Sequence, residues 1–450
     1  MEPDTIVAIA SAAGRGAVGI VRVSGCEVPR LAAEILGRLP APRRALAAGF
    51  LDGDGTSIDR GIALYFPAPA SLTGEHVLEL QGHGGALVMD LLLRRLLGLG
   101  CRMARPGEFS ERAFLNGKID IAQAEAVADL IDAGTEAAAK AAVRSMQGEF
   151  SAYIAELQSR LTELRAYVEA AIDFPDEDID FLSTPAITSR LARVFGGFDS
   201  IQAQARQGAL LREGLTVVIA GKPNAGKSSL LNRLVGDEVA IVTAAPGTTR
   251  DVLRHQVHLD GLPLNLIDTA GLRTALDAAE EEGIRRARNE IRRADRVLYV
   301  LDASLAAGEP SAPWPPELDQ LPADVPVTLI FNKIDLTGSA ARTTEELPQR
   351  IFLSARTGAG IDLLRAHLRS SAGFRAAESG AFSARRRHLD ALERARGFVQ
   401  SAADALHRPR AFELFAEDLR LAQRALGEIT GEFTSEDLLG AIFGSFCIGK

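Results

Sequence analysis

The segment Gly221-Lys222-Pro223-Asn224-Ala225-Gly226-Lys227-Ser228 leaves this chain few choices of fold. It follows the apolar run Thr216-Val217-Val218-Ile219-Ala220 and opens the helix-like run Ser229-Leu230-Leu231-Asn232-Arg233-Leu234. Glycines at its first and sixth positions let backbone N–H groups turn inward around phosphate oxygens, and the helix N-terminus adds a favourable partial charge. Lys227 is placed to reach the β- and γ-phosphates, and the Ser228 hydroxyl to bind Mg²⁺. At average residue usage such a string arises by chance on the order of once in a hundred chains of this length. The strand–loop–helix setting makes chance rarer still. From Leu215 to about Leu368 apolar runs alternate with helical stretches, as an α/β sheet domain requires.

Three further segments fall in order behind this loop. Gly247-Thr248-Thr249-Arg250-Asp251 lies where a switch threonine should ligand the metal. Asp268-Thr269-Ala270-Gly271 follows the strand-like Leu264-Asn265-Leu266-Ile267, and suits an acid that supports Mg²⁺ and a glycine that senses the γ-phosphate. Asn332-Lys333-Ile334-Asp335 follows Thr328-Leu329-Ile330-Phe331; a carboxylate there can accept from both the ring N–H and the exocyclic amine of guanine, a donor pair that adenine lacks. Ser354-Ala355-Arg356 supports the base from another loop. The nucleotide is therefore expected to be GTP. Leu272 stands where many GTPases carry a water-orienting glutamine, so hydrolysis needs another polar group and another cation. Glu280, Glu281 and Glu282 lie just downstream; a solvated acidic helix start is the plainer reading for two of them.

Gly14-Arg15-Gly16-Ala17-Val18-Gly19 also matches a glycine fingerprint, but a dinucleotide site needs a helix next, and Ile20-Val21-Arg22-Val23 reads as a strand. Ahead of the α/β region, β-like runs at Ile6–Ile9, Gly19–Val23 and Ile62–Phe66 surround a helical stretch near Val28 to Leu36, which predicts a small α+β domain ending near Asn116. From about Ile119 to Ile172 apolar residues recur every three or four positions, a helical pattern that Gly134 and Gly148 punctuate. The chain turns helical again after Ser383. The economical architecture is an α/β domain inserted into a helical domain behind an N-terminal α+β domain. The expected boundaries are 1–117, 118–213, 214–372 and 373–450, and 450 residues suit about three domains. Gly308 to Pro316 reads as an irregular surface loop.

Composition narrows the function. A net charge of −9 argues against broad, non-specific nucleic-acid binding, though not against a local patch such as Arg385-Arg386-Arg387-His388 or the run from Arg285 to Arg296; solvated helix faces are the plainer reading of both. Three scattered cysteines offer neither a disulfide framework nor metal-ligand spacing, the start is not signal-like, and Ala86 to Gly100 is too charged to span a bilayer. A reducing, cytoplasmic setting is expected. Only Lys118, Lys140, Lys222, Lys227, Lys333 and Lys450 among fifty basic residues are lysine. Where a compact ammonium must fit a tight site, arginine does not substitute, so these six are enriched candidates for chemistry. Lys140 and Lys222 read as surface.

The chain resembles the MnmE (TrmE) family of tRNA-modification GTPases over essentially its whole length. The resemblance is carried by Pro106-Gly107-Glu108-Phe109-Ser110-Glu111-Arg112-Ala113-Phe114-Leu115-Asn116, by Glu79-Leu80-Gln81-Gly82-His83-Gly84-Gly85, by the guanine motifs, and by the terminal Phe446-Cys447-Ile448-Gly449-Lys450. It implies that the first domain binds folate and dimerises. It also implies that the GTPase domains meet across the dimer, with K⁺ in place of an arginine finger. The family's K⁺ ligands fall on Asn224, Thr243, Ala245 and Thr248, its Mg²⁺ ligands on Ser228 and Thr249, and its catalytic glutamate on Glu280. Its GTP contacts extend over Asn224–Ser229, through Thr243, Ala244, Ala245, Pro246, Gly247, Thr248 and Thr249, to Asp268–Gly271, Asn332, Lys333, Asp335 and Ser354–Arg356. Folate contacts fall on Arg22, Glu79, Lys118 and Lys450. With MnmG (GidA), which contains FAD, the family installs a carboxymethylaminomethyl or aminomethyl group on carbon 5 of the wobble uridine, folate supplying the one-carbon unit. A regulatory GTPase of the ribosome-assembly type, or a one-carbon transferase that uses GTP only for control, are the competing readings; the first leaves the N-terminus and Lys450 unexplained.

Overall fold

The computed structural model describes residues 4–173, 185–236, 254–268, 291–292, 294–305, 325–344, 346–374, 380–405, 411–433 and 436–449. The chain divides into two compact units: Met1–Ala128 with Met146–Val194 and Ala391–Lys450, and Asp129–Ser145 with Phe195–Asp390.

In the first unit β1 (Ile6–Ile9), β2 (Gly16–Ser24), β3 (Leu46–Leu51), β4 (Ser57–Phe66), β5 (Val77–Gly84) and β6 (Arg102–Met103) form one sheet ordered β3-β4-β5-β2-β1-β6. Alternate residues of these strands (Val21, Val23, Ala63, Tyr65, Leu78, Leu80) turn to one face. Helices α1 (Val28–Leu36) and α2 (Ala86–Gly98) cover it with Val28, Leu31, Ile35, Met89, Leu92 and Leu96. The glycine fingerprint at residues 14–19 thus runs into a strand, not a helix, and no dinucleotide turn forms.

The Pro106–Asn116 signature makes α3 (Glu108–Leu115). Buried Glu108 accepts hydrogen bonds from Arg102 (2.6 Å), Arg112 (3.0 Å) and the Arg105 N–H (2.7 Å). Burial alone would raise its pKa, but these donors prevail and hold the carboxyl down at about 2. Gly107 shows why the signature needs a glycine. Its φ is +67°, and a Cβ would stand 2.4 Å from the Phe443 carbonyl oxygen. Helix α4 (Ile121–Asp132) follows, then α5 (Glu136–Met146) and α6 (Glu149–Asp173), broken near Gly134 and Gly148 as their sequence predicts. The helices α7 (Pro185–Glu213), α11 (Arg386–Ala405), α12 (Ala411–Thr430) and α13 (Glu436–Gly444) complete the helical part.

In the second unit seven strands are ordered β12-β13-β11-β10-β7-β9-β8. They are β7 (Leu215–Gly221), β8 (Arg254–Leu259), β9 (Leu262–Asp268), β10 (Arg296–Asp302), β11 (Val327–Asn332), β12 (Arg342–Thr343) and β13 (Arg350–Phe352). The central five run parallel, and only β8 and β12 at the edges are antiparallel. Such a sheet is buried on both faces, which is why its strands read as continuous apolar runs. Helices α8 (Lys227–Gly236), α9 (Ile334–Thr337) and α10 (Ile361–Ser371) follow strands. The architecture is the expected one: an N-terminal α+β domain, a helical domain in two segments, and a P-loop α/β domain between them. Residues 308–316 lie outside the described ones. Among the described residues no helix is long and apolar enough to cross a membrane.

Candidate nucleotide site

Parallel strands deliver their chemistry at their carboxyl ends. Here β7 ends on Gly221, β9 on Asp268, β10 on Asp302 and β11 on Asn332, and the register pairs Val300 with Gly221, Ile219 with Asp268 and Asp302 with Asn332. Four loops therefore leave the sheet along one edge.

The loop between β7 and α8 takes backbone conformations that L-residues avoid. Gly221 has φ +140° and Gly226 φ +97°; a Cβ on Gly226 would stand 2.1 Å from Asn332 Nδ2. Asn224 itself lies in the left-handed region at φ +61°. Lys227 is buried, and its Nζ donates to the carbonyls of Gly221 (2.9 Å) and Lys222 (2.8 Å). The ammonium is thereby held inside the loop. Ser228 and Ser229 open α8 on its exposed side.

Asn332 ties the base side to the phosphate side. Its side chain is buried, Nδ2 donates to the Ala225 carbonyl (2.9 Å), and Oδ1 accepts from the Ala355 N–H (2.9 Å). One amide thus spans three loops that lie far apart in sequence. Asp335 is oriented by Ser354, whose Oγ donates to Asp335 Oδ1 at 2.6 Å. Lys333 (φ +68°) donates from Nζ to Asp302 Oδ2 at 2.6 Å. Burial pushes the Asp302 carboxyl up, but the Lys333 and Ser304 hydrogen bonds outweigh it and hold the group below the ordinary carboxylate range. Asp302 was invisible to motif reading. Its only signal is an acid ending an apolar strand.

The structure thus brings Asn224–Ser229, the end of β9 at Asp268, Asn332, Lys333, Asp335 and Ser354–Arg356 to one edge. Thr243, Ala244, Ala245, Pro246, Gly247, Thr248, Thr249, Thr269, Ala270, Gly271 and Glu280 lie outside the described residues. Of the candidate folate residues, Arg22 pairs with Glu79 (2.9 Å) and its Nη1 donates to the Gly449 carbonyl (3.2 Å). Phe109 lies beneath the Arg22 guanidinium, 5.8 Å from centroid to Cζ. Lys118, exposed, donates one hydrogen bond to the Pro69 carbonyl at 3.0 Å, and Lys450 lies outside the described residues. Half of the basic run at 385–388 is taken up inside the fold, while Arg386 is exposed. Arg385 bonds Asp129 at 2.8 Å, and His388 is buried, its Nδ1 accepting from the Arg385 N–H.

Residues 5–118 match the family described as GTP-binding protein TrmE N-terminus, and residues 121–447 match the MnmE helical domain. The protein called tRNA modification GTPase MnmE in Yersinia pseudotuberculosis serotype IB (strain PB1/+) is 59% identical over 450 residues, 99% of each chain. Its namesake in Yersinia pestis bv. Antiqua (strain Angola) matches to the same extent, 59% over 99% of each chain. Among solved structures, Aquifex aeolicus Era Y63A bound to GDP.AlF4- is 29% identical over 34% of this chain and 56% of that one, with a TM-score of 0.26. The G domain of the T. maritima FeoB iron transporter is 26% identical over 35% of this chain and 98% of that one, with a TM-score of 0.25. A 59% identity sustained from end to end, with family matches over residues 5–118 and 121–447, identifies the chain as a member of the MnmE family of tRNA modification GTPases.

Proposed function

We propose that this chain binds and hydrolyses GTP while modifying carbon 5 of the wobble uridine of certain tRNAs. The group added is carboxymethylaminomethyl or aminomethyl, and the setting is the cytoplasm. The observation that carries the nucleotide half is the Asn332 amide, bonded at once to Ala225 and Ala355, beside an Asp335 fixed by Ser354. It holds a phosphate loop and a carboxylate suited to the guanine N–H pair on one rigid frame. The tRNA half is supported by the relatives' name and by family matches that reach beyond the GTPase domain, a reach that a ribosome-assembly-type GTPase would not need.

The loop fits a nucleoside triphosphate: its positive φ values turn N–H groups inward, and Lys227 is already held at its centre. Ser228 and Thr249 would hold Mg²⁺; Asn224, with Thr243, Ala245 and Thr248, would hold K⁺. These ions supply positive charge against the developing negative charge on the phosphates. With Leu272 in the glutamine position, Glu280 is assigned the orientation and deprotonation of the attacking water. Arg22, Glu79, Lys118 and Lys450 are assigned to tetrahydrofolate, in its 5-formyl or 5,10-methylene form. That reading is supported by the Arg22–Glu79 pair, whose guanidinium also donates to the Gly449 carbonyl next to Lys450 in sequence. A homodimer through residues 1–117, a helical domain of 118–213 with 373–450, a GTPase domain of 214–372, and a complex with FAD-containing MnmG belong to the same proposal.

Calorimetric titration of the Asp335→Asn variant tests the base assignment. An amide in place of the carboxylate should weaken GTP by roughly 10–10²-fold, the loss of charge-assisted hydrogen bonds, and should favour xanthosine triphosphate. Unchanged GTP affinity overturns it.

A further inference from the structure

Asp129, near the end of α4, has its side chain 6% exposed and accepts three hydrogen bonds from two distant stretches of chain. Arg212 Nε donates to Oδ1 at 2.8 Å, Arg385 Nη2 to Oδ1 at 2.8 Å, and Ser383 Oγ to Oδ2 at 2.5 Å. The identity of those partners matters. Arg212 stands just before β7, where the chain enters the α/β sheet, while Ser383 and Arg385 stand after α10, where it has left. Both covalent connections of the GTPase domain thus meet at one carboxylate. The two stretches are also pressed together. A Cβ on Gly208 of α7 would stand 1.7 Å from the Phe382 carbonyl oxygen; Ser145 of α5 also holds the exit stretch, its Oγ donating to the Ser383 carbonyl at 3.0 Å.

Beside this cluster is a cavity of about 310 Å³ whose lining includes Asp129, Gly208 and Arg212 on one side and Gln256, His258 and Asn265 on the other. Those last three residues belong to the β8–β9 hairpin, whose second strand ends on Asp268 of the Mg²⁺ motif. The hairpin also touches the entry stretch directly: Asn265 Nδ2 donates to the Glu213 carbonyl at 2.7 Å. A close-packed interior resists displacement, so free volume on this flank is where the hairpin can shift at low cost. Asn265, Glu213, Arg212 and Asp129 form a continuous chain of contacts along which a shift of the hairpin would reach the cluster. A buried ion cluster is poor evidence for stability, since apolar side chains would serve as well; fixing one arrangement among alternatives is its better-attested use.

We propose that Asp129 is a positioning residue that latches the entry and exit of the GTPase domain together and makes their packing respond to the bound nucleotide. The proposal rests on the GTP reading above. Amide hydrogen exchange of the full chain, with GDP and with a non-hydrolysable GTP analogue plus Mg²⁺, tests it. Wild-type segments 205–213 and 381–389 should exchange at rates about tenfold apart between the two nucleotides, as a local opening equilibrium would give. In Asp129→Asn that difference should fall below about twofold, with analogue affinity kept within about threefold, because Asp129 touches no nucleotide residue. A purely structural role would speed exchange equally in both states and leave the difference intact, and that result overturns the latch. So does a wild type that binds the analogue yet shows no difference in these segments. Ser383→Ala, which removes one donor and strands no charge, carries the same test if Asp129→Asn does not fold: a smaller difference supports the latch and an unchanged one refutes it. Failure of wild type to bind the analogue would refute the GTP reading instead.

Discussion

Replacing Asn332 with alanine should disable nucleotide binding without touching any group that contacts phosphate by motif. The side chain is 2% exposed and makes two hydrogen bonds, one to a carbonyl of the phosphate loop and one from the Ala355 N–H. Ala225 and Ala355 are themselves 3% and 6% exposed, so water does not readily replace the lost partner. Each polar group left buried and unpaired costs about 1–3 kcal/mol. Two in contact with one deleted side chain do not simply add, and about 3 kcal/mol is a fair working total. In a domain of this size that lowers the melting temperature by roughly 6–12 °C. The GTP dissociation constant should rise by roughly 10–10²-fold as the loops lose their common anchor, each tenfold being about 1.4 kcal/mol. Asn332→Asp is the sharper variant: it still accepts from Ala355 but sets a negative oxygen against the Ala225 carbonyl, so it should do at least as much harm. Calorimetry with GTP and a thermal melt read both effects. If Asn332→Ala binds GTP within twofold of wild type and melts at the same temperature, the amide does not join the two halves of the site.

If K⁺ takes the place of an arginine finger as proposed, exchanging it for Na⁺ at constant ionic strength should collapse hydrolysis, since such a finger is worth roughly 10³–10⁵ in rate; equal rates in the two salts would refute the cation's role, and Asn224→Ala should mimic the loss. Removing Cys447 to Lys450 should abolish folate binding while leaving intrinsic hydrolysis within a few-fold, and Gly107→Ala, whose Cβ would meet the Phe443 carbonyl at 2.4 Å, should weaken folate binding by disturbing the same tail. Undiminished binding of 5-formyltetrahydrofolate by the truncated chain would remove the tail from the site.

What could be read from sequence here was whatever has a local cause. The phosphate loop is announced by glycines that its own backbone requires, and the helix Val28–Leu36 and the breaks near Gly134 and Gly148 follow from period and punctuation. The second glycine fingerprint could be rejected because the residues after it alternate as a strand. The partners of side chains were not legible. Nothing near Asn332 in sequence says that it bonds Ala225, 107 residues away, or that Asp302 anchors Lys333. That Lys118, singled out as a rare lysine, donates to the Pro69 carbonyl, and that half of the basic run at 385–388 is used inside the fold, could not be read from the residues around them. Gly107 is clear only once Phe443 is seen against it, because the constraint comes from the other end of the chain.

GTP chemistry on this frame is proposed to serve tRNA modification. The most direct test of this is nucleoside analysis of tRNA from a strain lacking the gene, complemented with wild type or with Asp335→Asn. Wobble uridines should lack the carbon-5 aminomethyl-type group in the deletion strain, regain it with wild type, and remain unmodified with Asp335→Asn while GTP is the only abundant guanine-site nucleotide. A nucleoside profile identical in the deletion and wild-type strains would contradict the account.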